Sequence, residues 1–271
     1  AQWWLSYQDS YLAYGRTLAD YNIQEESTLR LNASKEIQAS TKDQMFSAVK
    51  DNAVQVVTLT ADIEIEEALT VSRAVTLDLN GHVLKYKGNL NSSVIRVADG
   101  GDLTIQDSSP DTVHKFTPNS DGLWVPDETN GTETVTGGII TGGTGTDVAS
   151  PGGMAQYRGG GVLIETGGSL TMTGGNIAGC TAHDGGGVFM APGGTFTMSG
   201  GSILHCAAIG VPSSGGGVHM DGGSFIMSAG EIRACKCIAA SNRARGGGVY
   251  MGGGSDFTMS GGSIADDCTA A

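Results

Sequence analysis

From residue 159 onward, apolar and polar residues alternate in short bursts, and glycines close each burst. In "GVFM" and "TFTMS" the period is two, that of a strand with one buried face. Phe196, Met198 and Ile203 would point inward, and Thr197 and Ser199 outward. Bursts this short exclude helices of ordinary length. Aligned, the segments read "GGGVLIETGGSLTMTGGNIAGC", "GGGVFMAPGGTFTMSGGSILHC", "GGGVHMDGGSFIMSAGEIRAC" and "GGGVYMGGGSDFTMSGGSIADDC", with a partial copy, "TETVTGGIITGG", at 132–143. Equivalent positions fall at Thr134, Thr171, Thr197, Ile226 and Thr258, so the unit is structural and its loops vary in length.

Three short strands per unit, repeated in this way, predict a parallel β-solenoid. Like residues should stack about 4.8 Å apart in ladders. The ladders expected are Leu170–Phe196–Phe225–Phe257, Met172–Met198–Met227–Met259 and Ile177–Ile203–Ile232–Ile264. Residues 54–107 carry the same alternation with Asn-Gly and Gly-Gly turns and predict the opening strands. Before them, "STKDQMFSAVKDN" offers Ser40 or Thr41 as an N-cap and a Met45, Phe46, Val49 stripe. A helix there would cover the first edge of the sheet.

These features resemble the pectate-lyase-like right-handed parallel β-helix superfamily, in particular glycine-rich bacterial surface proteins with repeats of the type "GGGVY…GTFTMSGGTI". The resemblance implies an all-β, right-handed parallel β-helix with an N-terminal capping helix. Its motifs specify architecture and not chemistry.

The first 32 residues differ from the rest. Of the chain's 44 glycines they hold only Gly15, yet they carry Trp3, Trp4, Tyr7, Tyr11, Tyr14 and Tyr21. The segment "YGRTLADYNIQEESTLRL" at 14–31 resembles the second half of ubiquitin, and "WWLSYQDSYLAYG" fits the preceding strand and turn more loosely. That resemblance implies a partial ubiquitin-like (β-grasp) segment with a strand, a short helix at "TLADYNI" and a last strand. Ubiquitin-type conjugation is not expected. Ser10 and Glu25 stand where ubiquitin has lysines, Ser6, Arg30 and Asn32 replace its recognition patch, and "NASKEIQ" follows instead of a diglycine tail. The division expected is 1–32 ubiquitin-like, 33–53 linker and capping helix, and 54–271 β-helix, truncated at its C-terminal end. A start without Met and a stop at "DDCTAA" suggest a piece of a longer protein.

A net charge of −13 argues against sequence-independent nucleic-acid binding, because no basic surface is available to displace counterions. No apolar run reaches the roughly 20 residues of a membrane span. Of the five cysteines, Cys180, Cys206 and Cys235 follow the ladder isoleucines by three residues and Cys268 by four. They read as a small-residue ladder, since stacked residues stand too far apart for the Cβ separation of a disulfide. The extra Cys237 leaves a disulfide open, and the spacing matches no zinc motif.

Loops of four, eight and ten residues follow the cysteines, as "TAHD", "AAIGVPSS" and "KCIAASNRAR", and should form one ridge. Arg233, Lys236, Arg243 and Arg245 gather at the longest. Ordinary solvated charge is the bland interpretation. The sharper one is ligand binding, because arginine grips carboxylates and sulfates bidentately. The function expected is a non-catalytic, extracellular or cell-surface β-helix protein, an adhesin-like stalk module for acidic polysaccharide or cell-surface glycan. No cofactor is expected.

The alternatives are a purely structural spacer and a polysaccharide lyase or glycoside hydrolase. A lyase would call on Ca²⁺ at Asp99, Asp102 and Asp107, with Arg243 or Lys236 as base. A hydrolase would need paired carboxylates. "NSDG" at 119–122 faintly resembles one element of polygalacturonase-type hydrolases, and Asp266-Asp267 is the adjacent acidic pair.

Overall fold

The computed structural model describes residues 3–7, 10–11, 23, 30–33, 35–148, 155–239, 243–265 and 267–271. The fold is all-β with one helix, and its long parallel sheets curl around a shared apolar core. One sheet has six strands, Leu69–Val71, Ile95–Val97, Val162–Ile164, Val188–Met190, Val218–Met220 and Val249–Met251. A second has thirteen, and a third joins Thr181–Ala182, Ala207–Ile209, Lys236–Ile238 and Thr269–Ala270. Within these sheets each strand pairs, parallel, with its equivalent one repeat away.

The three expected ladders form in register. They also extend upstream, through Val75–Leu103–Leu170 and Leu84–Ile140–Ile177. Phe196, Met198 and Ile203 are buried while Ser199 is exposed. The Phe196 and Phe225 rings stack at 4.5 Å and 7°, and Phe225 and Phe257 at 4.8 Å and 22°. Such pairs contribute about 0.5–1.5 kcal/mol beyond area burial. Burying each large apolar side chain contributes about 1.5–3 kcal/mol, more than the 0.5–1 kcal/mol that a glycine in the strand costs.

The partial repeat is corrected in one respect. Thr104, not Thr134, stands in register with Thr171. Thr134 instead pairs with Lys115 in an antiparallel flap of Val113–Pro118, Trp124–Pro126 and Glu133–Thr136. A period of two marks a strand without saying which sheet receives it. Only the stretch from 137 onward, through Ile140, joins the repeat ladder.

The helix forms at Lys42–Lys50, with Thr41 as N-cap accepting from Gln44 N and Gln44 Oε1 accepting from Ser40 N at 2.9 Å. Met45, Ala48 and Val49 are buried and Phe46 packs on the core. Arg73 donates to the carbonyls of Val49 and Ala48, satisfying the last turn. Residues Lys35–Ala39, within the stretch expected as linker, form a strand parallel to Val54–Leu59. At the N-terminus, Trp3–Tyr7 pairs antiparallel with Ser10–Tyr11 and with Arg30–Ala33. The short helix expected at 17–23 falls almost wholly outside the described residues. Among those described, no helix is long and apolar enough to cross a membrane.

Candidate functional site

At the "GGG" corner of residues 215–217, two residues five positions apart meet, Ser214 Oγ lying 2.9 Å from His219 Nδ1. The first glycine of each corner has positive φ, +66° at Gly215, which a β-carbon disfavours. A β-carbon on Gly216 would strike the carbonyls of Lys236 and Gly247, and one on Gly217 would lie 2.8 Å from Ile232 Cγ2. The chain therefore folds back so tightly that the residue before the corner faces the outward residue of the next strand.

Repeated, this builds two ladders. Arg158, Asp184, Ser214 and Arg245 stand in one column, each bridged to the next. Arg96, Leu163, Phe189, His219 and Tyr250 stand in register on the outward side of the six-stranded sheet. The first column is a wall and the second a floor. Arg158 and Arg245 are three strand spacings apart, about 14 Å.

At one end lies a cavity of about 360 Å³, lined by Arg96, Arg158, Leu163, Glu165 and Phe189, with the 146–148 segment beside it. The Arg158 guanidinium sits 4.7 Å over the Phe189 ring, donates to Gln156 at 3.0 Å and lies 3.8 Å from Asp221. Its buried Nε has no partner among the described residues. Ser93 Oγ donates to the Arg158 carbonyl and fixes the backbone there. Arg96 is paired with Glu165.

In the middle, Ser214 Oγ donates to Asp184 Oδ1 at 2.6 Å and meets His219 Nδ1 at 2.9 Å. The His219 ring lies between Phe189, on which it stacks at 23°, and Tyr250, which is tilted by 43°, with both centroids at 4.9 Å. Burial lowers the His219 pKa below its ordinary 6.5, with Asp184 and Asp221 opposing the shift and Arg158 adding to it.

The four expected basic residues do not form one cluster. Arg233 is neutralised beside the flap, its Nη1 2.9 Å from Glu133 Oε1 and its Nε 3.3 Å from Glu231. His205 donates to the same Glu133 oxygen at 2.8 Å and stacks on Trp124 at 4.3 Å. Lys236 lies in the four-stranded sheet, between Ala207 and Thr269. Arg243 and Arg245 are exposed at the far end of the same loop, whose base is tied where Arg245 N donates to Cys237 Sγ. Lys236, Arg243 and Arg245 make no ion pair with a described residue. Of the four, Arg245 alone belongs to the wall.

The expected loop ridge is partly strand. The residues after each cysteine pair in the four-stranded sheet, and those before each "GGG" build the wall. Sequence reasoning missed the wall and floor, although the signal stands in "RGGGVL", "DGGGVF", "SGGGVH" and "RGGGVY".

Of the residues the enzymatic alternatives would use, Asp107 and Asp267 accept from backbone amides. Asp107 accepts from Gly81 N and Gly138 N, both at 2.7 Å, and burial raises the pKa of Asp102. Asn119 in "NSDG" makes an exposed Asx turn by accepting from Asp121 N and Leu123 N. Asp267 accepts from Ala234 N, and Asp266 lies outside the described residues. All five thiols are free, and burial raises the pKa of Cys206. Among the described residues no three acidic, histidine or cysteine side chains are placed to hold a metal ion. The chain matches no family model, no curated protein and no solved structure.

Proposed function

We propose that this chain is a right-handed parallel β-helix, capped by the helix Lys42–Lys50 and preceded by a ubiquitin-like segment. It would be secreted or displayed at a cell surface, where it binds acidic glycans along the wall and floor. The solenoid reading is supported by the pairing of each repeat with the next alone. The observation that carries the binding reading is the column that sets Arg158 and Arg245 about 14 Å apart, with Asp184 and Ser214 between them and the Phe189, His219 and Tyr250 rings in the column alongside. Guanidinium groups suit carboxylates and sulfates, and the half-buried Tyr250 ring at the end of the stack offers apolar surface to a sugar, while Phe189 is covered by Arg158 and His219.

The test is calorimetric titration with acidic and neutral oligosaccharides, and chain-length analysis of each polymer afterwards. Acidic chains should bind and stay intact. Arg158→Gln and Arg245→Gln should each weaken binding by about tenfold or more, as loss of a charged hydrogen bond does. Unchanged affinity in both variants would defeat the proposal, and absence of any binding would favour the spacer. Shortened chains would favour the lyase or hydrolase.

A further inference from the structure

With His219 neutral, the hydrogen-bond chain in the middle of the wall admits one arrangement of protons. The Asp184 carboxylate only accepts, so the single hydroxyl proton of Ser214 goes to it, at 2.6 Å. Ser214 Oγ must then accept from His219 Nδ1, at 2.9 Å. Neutral imidazole carries one proton, so His219 is the Nδ1–H tautomer and its Nε2 is a bare acceptor. Nε2 lies at the distal end of the ring and has no hydrogen-bond partner among the described residues. The Phe189 and Tyr250 rings on either side hold the imidazole edge-on to the floor.

We infer that His219 is a specificity-determining residue, through which the site selects a ligand bearing a hydroxyl between its anionic groups and rejects a bare polyanion. This rests on the acidic-glycan reading. Two arginines alone would hold any polyanion of suitable spacing. An uncharged acceptor midway rewards a hydroxyl donor and repels an anionic oxygen, which has no proton to give. Asp184 and Ser214 act as positioning residues, since without them the ring could present Nε2–H instead.

The experiment compares a uronic-acid oligosaccharide with inorganic polyphosphate of similar charge, and reads the His219 tautomer in the free protein by imidazole nitrogen NMR. The oligosaccharide should bind more tightly, and the tautomer should be Nδ1–H. His219→Phe keeps the stack and removes the acceptor. It should lower oligosaccharide affinity about three- to tenfold and leave polyphosphate unchanged. Ser214→Ala should shift the tautomer towards Nε2–H and narrow the preference in the same direction. An Nε2–H tautomer in the wild type, or equal loss for both probes, overturns the inference and leaves glycan binding standing. Failure of both probes to bind overturns the glycan reading with it.

Discussion

A methyl group at Gly215 would sit 2.8 Å from the Cα of His219, on a backbone at φ +66°. At Gly253 nothing lies within 4 Å, and its φ is not in the left-handed region. Gly215→Ala should therefore cost about 2–3 kcal/mol, through a strained backbone and the displacement of the strand that carries the histidine. Gly253→Ala should stay within about 0.5 kcal/mol of the parent. Denaturant midpoints compare the two. Equal effects would mean that the corner is softer than its geometry implies. Composition shows that glycines are many, but only the contacts of each one separate the corner that shapes the site from the glycine on an open turn.

The flap is the element in which titration bears most directly on packing. Phe116 and Val135 form a cluster with Val83, Ile139, Ala178 and Leu204, and Trp124 packs against it. Around it His205, Glu133, Arg233 and Glu231 form one polar network. Burial lowers the His205 pKa against the opposing pull of Glu133, while burial would raise that of Glu133 but the hydrogen bonds from Arg233 and His205 hold it below its ordinary value. Both groups bind protons more readily in the unfolded chain. Stability is thus complete above the ordinary histidine value of 6.5 and declines as the pH falls below it, with Glu133 contributing below 4.5. His219 acts in the same sense. Melting temperature should fall from pH 7.5 to pH 5, and His205→Asn should flatten part of that fall. A variant with the parent's full pH slope would remove His205 from the account.

The ladders and the helix were legible because their signals are local: a period of two, an N-cap, and apolar residues at recurring positions. The flap was not, because its strands alternate in the same way and differ only in their partners. The same limit hid the site. Arg233 and Arg245 are neighbours in charge and sequence, yet one is absorbed by Glu133 and the other stands on the wall. That difference depends on a flap about a hundred residues upstream, whose contact no sequence window contains.

On the scale of the whole molecule the two ends of the core are unlike. The helix lies over the strands Lys35–Ala39, Val54–Leu59, Ile63–Ile65 and Leu69–Val71. At the other end the strands of the last repeat have partners on one side only among the described strands, and Met251, Met259 and Ile264 are exposed. Open edges of this kind recruit other strands. Residues 1–271 taken by themselves should therefore associate through these strands as their concentration rises. Sedimentation velocity over a concentration series checks this, with Met259→Lys and Ile264→Lys expected to weaken it. A strict monomer at high concentration would contradict it.

The corners carry a further consequence. Because each glycine triplet seats on the backbone of the next repeat, the piece from triplet to cysteine keeps nearly constant length, while the stretch from cysteine to the next triplet grows freely from four residues to ten. The chain thus contains a fixed ruler and a free margin. A duplicated unit placed at such a boundary would meet on both faces a surface like its own. Each added unit would also lengthen wall and floor by one step, so the reach of the surface is written in the number of copies rather than in any single residue.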